Sequence, residues 1–340
     1  MTLPGRGDYL EYVMGVYDEA EKVAPLTAQL AAVNATNVTL TATMENLGTV
    51  VDDLKAQLAD CQASQPDPPP DPDPEPTPVA PALLGLAADD FDSQRAILEA
   101  TGGQFVATRR FDAGNGLAGL KRSCPPAAAA GLSIVASVKP GQWAAAASGS
   151  YDDAMVAQCA YLAGLRDQYH LARVYLAQHH EPGTSPTVSS GESGSAADFG
   201  RMYSRFVPIA LAHGVTPTYI FNGWQLGDYT EAQLGAWVPA DTRRPDVVLG
   251  ADHYQLKSGG AGPVAAIRKH VAQAGAWGMP YGVGEFNAVD ASVLTATGDA
   301  IRADTDNLAY ACLWSSRNLV FAPIGARTSA GQAIVKNWES

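Results

Sequence analysis

The chain has 340 residues, 46% of them hydrophobic, and a formal charge of -13. That length holds one large domain with accessories, and the acidic balance excludes a nucleic-acid partner, because gripping phosphates asks for a basic face. No apolar run approaches the span of a bilayer, which excludes membrane insertion.

Residues 1–25 form an N-terminal attachment segment, in which Tyr9, Tyr12, Val13, Val16 and Tyr17 suggest one short amphipathic helix. Arg6, Asp8 and Glu11 interrupt any apolar core near the start, so no secretory signal is expected. From Leu26 the pattern turns heptad: Leu26, Leu30, Val33, Asn37, Leu40, Met44, Leu47, Val51, Leu54, Leu58 and Cys61 recur in alternating steps of four and three. Residues 26–65 therefore read as a coiled-coil helix forming a homo-oligomer, a dimer or a trimer, with Asn37 pinning the register. The alternative, a single helix lying on a globular surface, would need a wider apolar stripe. Residues 66–81 hold nine prolines in 16 positions, spaced by acids, and predict an extended spacer.

Residues 82–340 form the head, whose 259 residues are near the roughly 250 of a (β/α)8 TIM barrel. Strand-like runs at 83–87, 105–108, 133–138, 173–177, 218–221, 247–251, 281–284 and 310–314 alternate with helical stretches at 92–100, 151–168, 196–213, 263–276 and 291–306. An open doubly wound sheet is the competing α/β architecture, but the glycine-rich fingerprint it often carries is missing after the first strand. Cys124, Cys159 and Cys312, like Cys61, show no metal-ligand spacing and read as free thiols; Cys61 falls on the helix seam.

In such a barrel the carboxyl ends of the strands build the functional face. There the sequence places Arg109, Arg110 and Asp112; Lys139 and Trp143; His179, His180 and Glu181; Asn222 and Trp224; Asp252, His253 and Tyr254; Glu285; and Trp314. Glu181 and Glu285 each end an apolar strand, and a carboxylate pair so placed is what glycoside hydrolysis requires. Trp143, Trp224, Tyr254 and Trp314 are candidate platforms for the apolar faces of sugar rings. A strand-end glutamate can also serve only to pair with Arg109 or Arg110. His179 and His180, adjacent on a strand, point to opposite faces and do not both enter the site. A metal centre on His179, His180 and His253 lacks ligand spacing, and neither metal nor cofactor is expected.

His-Glu at 180–181, Asp-x-Tyr at 252–254 and Gly-Glu-Phe at 284–286 resemble the retaining glycoside hydrolases of clan A, and most of all the β-mannanase-like family 26. Thr-Arg-Arg-Phe-Asp-Ala-Gly at 108–114 and Asp-Val-Val-Leu-Gly-Ala-Asp-His-Tyr at 246–254 are similar to that family's second and sixth strands. The resemblance covers the head alone. It implies Glu181 as acid/base, Glu285 as nucleophile, His180 as hydrogen-bonding neighbour and Tyr254 as the residue touching the nucleophile. Arg109, Asp112, Asn222 and Asp252 complete the expected supporting set.

A coiled coil, a proline arm and a glycosidase-like head without a signal peptide together resemble an actinobacteriophage minor tail protein. The function so implied is cleavage of a host cell-envelope polysaccharide from an oligomeric stalk in the virion tail, with other tail proteins bound through the N-terminus. A bacterial surface protein exported by another route is the alternative setting. A catalytically inactive barrel serving as a glycan-binding adhesin is the alternative function.

Overall fold

The computed structural model describes residues 6–63, 82–87, 105–112, 116–183 and 194–315. The linker at 66–81 and the helix expected at 92–100 lie outside the described residues, as does the side chain of Cys61. The chain divides into two compact units, 1–77 and 78–340.

Among the described residues the first unit holds one helix, α1 (Arg6–Ala63), of 58 residues. It runs through Pro25, so the boundary expected at 25/26 is not marked by a break. A proline forfeits one backbone hydrogen bond of a long helix, and the ladder continues on either side. Thr36, Thr39, Thr41, Thr43 and Thr49 turn their hydroxyls back onto carbonyls four residues earlier, which satisfies those groups without a partner. Leu30, Val33, Leu40, Met44, Leu47 and Val51 are all exposed, from 41% at Val51 to 73% at Met44.

The second unit is a closed barrel of eight parallel strands in sequential order. They are β1 (Leu83–Ala87), β2 (Ala107–Asp112), β3 (Ser133–Val138), β4 (Val174–Gln178), β5 (Thr216–Asn222), β6 (Val248–Gln255), β7 (Tyr281–Ala288) and β8 (Leu308–Trp314). Closure comes from β8 pairing with β1, Trp314 opposite Ala87. Around the barrel pack α2 (Gly116–Ser123), α3 (Pro125–Ala129), α4 (Trp143–Ala147), α5 (Asp152–Tyr169), α6 (Ala196–Ala212), α7 (Gly223–Asp228), α8 (Glu231–Trp237), α9 (Val264–Ala276) and α10 (Ala291–Arg302). The helix expected over 291–306 stops at Arg302 and is followed by a short 3-10 turn at Thr305–Asn307.

Strand alternation sorts the apolar residues into two cores. Leu84, Leu86, Ile134, Leu176, Leu249 and Val283 face the helices, whereas Val135, Tyr175, Ile220, Val248, Tyr310 and Cys312 fill the lumen. The lumen is wide enough for Tyr310 only because its neighbours lack side chains: a Cβ on Gly282 would lie 2.6 Å from the phenol ring. The Tyr310 hydroxyl shares a 2.6 Å hydrogen bond with Thr218 Oγ1, so the buried group is paired.

Two irregularities aim side chains at the carboxyl end. Pairing of β6 with β7 slips after Ala251, so that Ala251 faces Val283 but Asp252 faces Glu285. Because Val283 and Phe286 both face the helices, the extra residue between them is a bulge, and it leaves Glu285 at the mouth, a re-aiming for which bulges near functional sites are known.

Candidate active site

The mouth of the barrel gathers Arg109 and Phe111 from β2, the β4 turn with His180 and Glu181, Asn222 from β5, Asp252 and Tyr254 from β6, Glu285 from β7 and Trp314 from β8. Asp112 ends β2, and its side chain lies outside the described part of the structure.

Glu285 is 8% exposed. The wholly buried Arg109 guanidinium approaches its Oε1 at 3.9 Å, and the Tyr254 hydroxyl donates to its Oε2. A cation and a donor on the two oxygens both favour the negative carboxylate. The ion pair available to a strand-end glutamate is therefore present at Glu285. Tyr254 is itself buried beside this charge, and both effects push its phenol well above the ordinary range.

Glu181 sits in different surroundings. Burial raises its pKa, opposed by a 2.9 Å hydrogen bond from Asn222 Nδ2 and by the charges of Arg109 and Lys139. Asn222 is held for that task by the start of α7. Its Oδ1 accepts from the Trp224 backbone N–H, and Gln225 Oε1 accepts from the Asn222 N–H in return, a capping box. Gln225 Nε2 then donates to Pro182 O at 2.7 Å, tying the β4 turn to the same helix. Gln225 is absent from the expected site residues, although the spacing Asn222-x-x-Gln225 is the signature that reveals it.

Asp252 makes a third carboxyl. It is buried, accepts from the Glu285 backbone N–H, and is pushed well above the usual carboxylate range by burial, then by the charges of Glu285 and Glu181. That one group feels both glutamates places the three carboxyls around one mouth.

Alternation along β6 turns His253 the other way. Its Nε2 meets His270 Nδ1 on α9 at 3.2 Å, and His270 Nε2 donates to Leu249 O at 2.7 Å. His253 thus faces the helices, away from His180, and the three-histidine cluster does not assemble. Among the described residues no group of three or more His, Cys, Asp or Glu is placed to hold a metal ion, and no helix is long and apolar enough to cross a membrane.

The tryptophans separate. Trp143 is 3% exposed, with edge-to-face contacts to His179, Phe199 and Trp237 at 5.2–5.8 Å, and its indole N–H donates to His179 Nδ1. A ring so enclosed offers no face to a sugar, which corrects its assignment as a platform; the reason is the packing of α4 against α6. Trp224 is 44% exposed at the start of α7, edge-on to Tyr229. Trp314 is 6% exposed and stacks on Phe111 at 5.7 Å. Phe111 also meets His180 at 5.9 Å and lies under the Arg109 guanidinium at 5.4 Å. Burial and nearby cations depress the His180 pKa well below the ordinary value, so His180 is a neutral ring. Asn287, beyond Glu285, donates to Trp314 O and ties β7 to β8.

Four buried polar atoms of this region, Ser137 Oγ, His180 Nδ1, Asp252 Oδ1 and Trp314 Nε1, have no hydrogen-bond partner among the described residues. Native proteins rarely leave such groups unpaired, and clusters of them mark places where a polar ligand completes the bonding.

No protein-family model matches the chain, and no curated protein matches it in sequence. Solved structures with a similar course include a fungal β-1,4-galactanase, with 12% identity over 69% of this chain and 89% of the other at a TM-score of 0.49. A Bacillus sp. family 26 endo-β-1,4-mannanase has 14% identity over 69% of this chain and 77% of its own, also at 0.49. A family 26 β-mannanase from Bacteroides ovatus has 15% identity over 76% of this chain and 87% of its own, again at 0.49. Chains that share only a barrel reach such values, so the chemistry has to come from the side chains.

Proposed function

We propose that the head is a retaining glycoside hydrolase. The reading is carried by one observation: two carboxyls at one barrel mouth with opposed environments, Glu285 between a cation and a phenolic donor, Glu181 raised by burial. A pair tuned apart in this way divides into nucleophile and acid. Glu285 attacks the anomeric carbon while Glu181 gives its proton to the departing glycosidic oxygen, leaving a glycosyl ester on Glu285. Glu181, now ionised, takes a proton from water, the hydroxide adds to the anomeric carbon, and Glu285 is released. Tyr254 holds the attacking carboxylate in line. Neutral His180 and the unpaired atoms at Ser137, Asp252 and Trp314 offer hydrogen bonds to sugar hydroxyls, and Trp224 offers an apolar face.

The substrate proposed is an endo-cleaved polysaccharide of a host cell envelope, reached from an oligomeric stalk in a phage tail. What supports the stalk is the exposed seam of α1 and the proline-rich stretch that follows it in sequence. An assay on β-1,4-mannan, β-1,4-galactan, β-1,3-glucan, β-1,4-glucan and actinobacterial wall arabinogalactan, with product anomers followed by proton NMR, tests the reading. Retention is expected, and Glu285→Gln is expected to lower kcat by at least about 10⁴-fold while sparing binding. Binding with no sugar release by the wild-type chain would instead identify a glycan-binding adhesin.

A further inference from the structure

Strand periodicity alone, with Tyr175 and Ala177 in the lumen, would send His179 into the mouth and turn His180 away from it, yet the His179 ring packs on Trp143 and His180 meets Phe111. The turn after β4 breaks that rule. His179 and Glu181 both adopt left-handed backbone, φ 73° and 50°, although neither is glycine. Such residues are sparse and persist only where their surroundings over-determine them. The backbone is suspended between neighbouring strands: His179 N–H donates to Val138 O of β3, and Glu181 N–H to Ile220 O of β5, both at 2.6 Å. The His179 ring, wholly buried, accepts the Trp143 indole N–H on Nδ1 at 3.2 Å, which places its own proton on Nε2. Trp143 in turn is walled in by Phe199 and Trp237, and Gly194 leaves room for it, since a Cβ there would lie 3.0 Å from the Trp143 Cβ.

We propose that His179, anchored by the Trp143 indole, is a positioning residue for Glu181: the pair locks the left-handed turn that holds the acid/base carboxyl on Asn222. The sugar never touches either residue. Losing the anchor frees the turn at His179, so the Glu181 carboxyl loses its aim at Asn222 while the nucleophile stays in place. The proposal rests on the glycosidase reading of Glu181.

That division predicts a leaving-group signature. A 2,4-dinitrophenolate departs without protonation, whereas a phenolate needs the acid. Full-length wild type, Trp143→Phe, His179→Ala and His179→Asn are to be compared on dinitrophenyl and phenyl β-glycosides of mannobiose, cellobiose and galactobiose. Thermal unfolding of each variant is recorded alongside. Trp143→Phe, which keeps a ring and deletes the donor, and His179→Ala are expected to lose roughly 10- to 100-fold in kcat/KM on the phenyl glycoside and under about 3-fold on the dinitrophenyl one. Asparagine tolerates left-handed backbone and presents an acceptor in place of Nδ1, so His179→Asn is expected to restore most of the phenyl glycoside rate. Equal losses on both substrates, or no loss on either, would overturn the positioning role. Glu181→Gln is the separating control: if it spares both substrates, or if the wild type cleaves none, the glycosidase reading itself fails.

Discussion

Asn222 donates to Glu181 from the adjacent strand, and this hydrogen bond opposes the burial that raises the carboxyl's pKa. Removing it strips a stabiliser from the ionised form, so the pKa climbs further and the acid keeps its proton to higher pH. Asn222→Ala is therefore expected to move the alkaline limb of the kcat/KM profile upward, and to lower the maximum because the carboxyl loses its aim; a downward shift of that limb would contradict it. Much of this site was legible at the level of residues. Glu181 and Glu285 stand out because each ends an apolar run with a charge, and Asp252, Tyr254 and Asn222 follow once the strands are assigned. The left-handed turn was not legible, because non-glycine residues with positive φ carry no compositional mark. Trp143 misled for a related reason: whether an aromatic ring at a strand end faces the mouth or the helix layer is decided by α4 and α6 packing, which local sequence does not encode.

At the scale of elements, β1 and β3 coincide with their predicted spans, while β2, β6 and β7 extend further toward the mouth, to Asp112, Gln255 and Ala288. Their last residues are polar on one face because the mouth is polar, and that mixture masks the strand signal. The five-residue α4 and the six- and seven-residue α7 and α8 are too short to display a helical period. Between β6 and α9 lies a feature no pattern announced, the buried His253–His270 pair. Their hydrogen bond needs one ring nitrogen to accept, so charging both rings abolishes it. Burial pushes His270 down to about 4 and His253 well below its ordinary value. With both folded pKa values below the unfolded 6.5, the unfolded chain binds more protons in this window, and the barrel loses stability as pH falls from 6.5 toward 4. Each such group contributes a slope of about 1.4 kcal/mol per pH unit. His270→Gln keeps a donor for Leu249 O and an acceptor for His253 while removing one titration. Urea midpoints at pH 7 and pH 5 are expected to differ less in this variant than in the wild type; an unchanged difference would refute the assignment.

For the whole molecule, the proposal of an oligomeric stalk rests on the exposed face of α1. A helix of 58 residues is about 87 Å long at 1.5 Å per residue, and its apolar stripe recurs every 3.5 residues through Leu30, Val33, Leu40, Met44, Leu47 and Val51. Covering one such side chain is worth roughly 1.5–3 kcal/mol, and the proposed oligomer would draw on this seam to offset the entropy lost when copies associate. Between Val23 and Met44 there is no charged residue, and the positions flanking the seam there are Thr27, Gln29, Asn34, Thr36, Thr41 and Thr43. No ion pairs can then set the strength of association in that stretch, and salt should not weaken it. Light scattering on the full chain is expected to give an integer multiple, two or three, of 35.5 kDa, unchanged between 0.1 and 1 M NaCl on the scale where screening shortens from about 10 to 3 Å. Leu40→Asp with Leu47→Asp puts two charges on the seam and is expected to return a single-chain mass, with sugar release per barrel unaltered because the barrel builds its mouth from its own eight strands. A wild-type chain that already scatters as one copy would remove the stalk and leave the barrel chemistry standing.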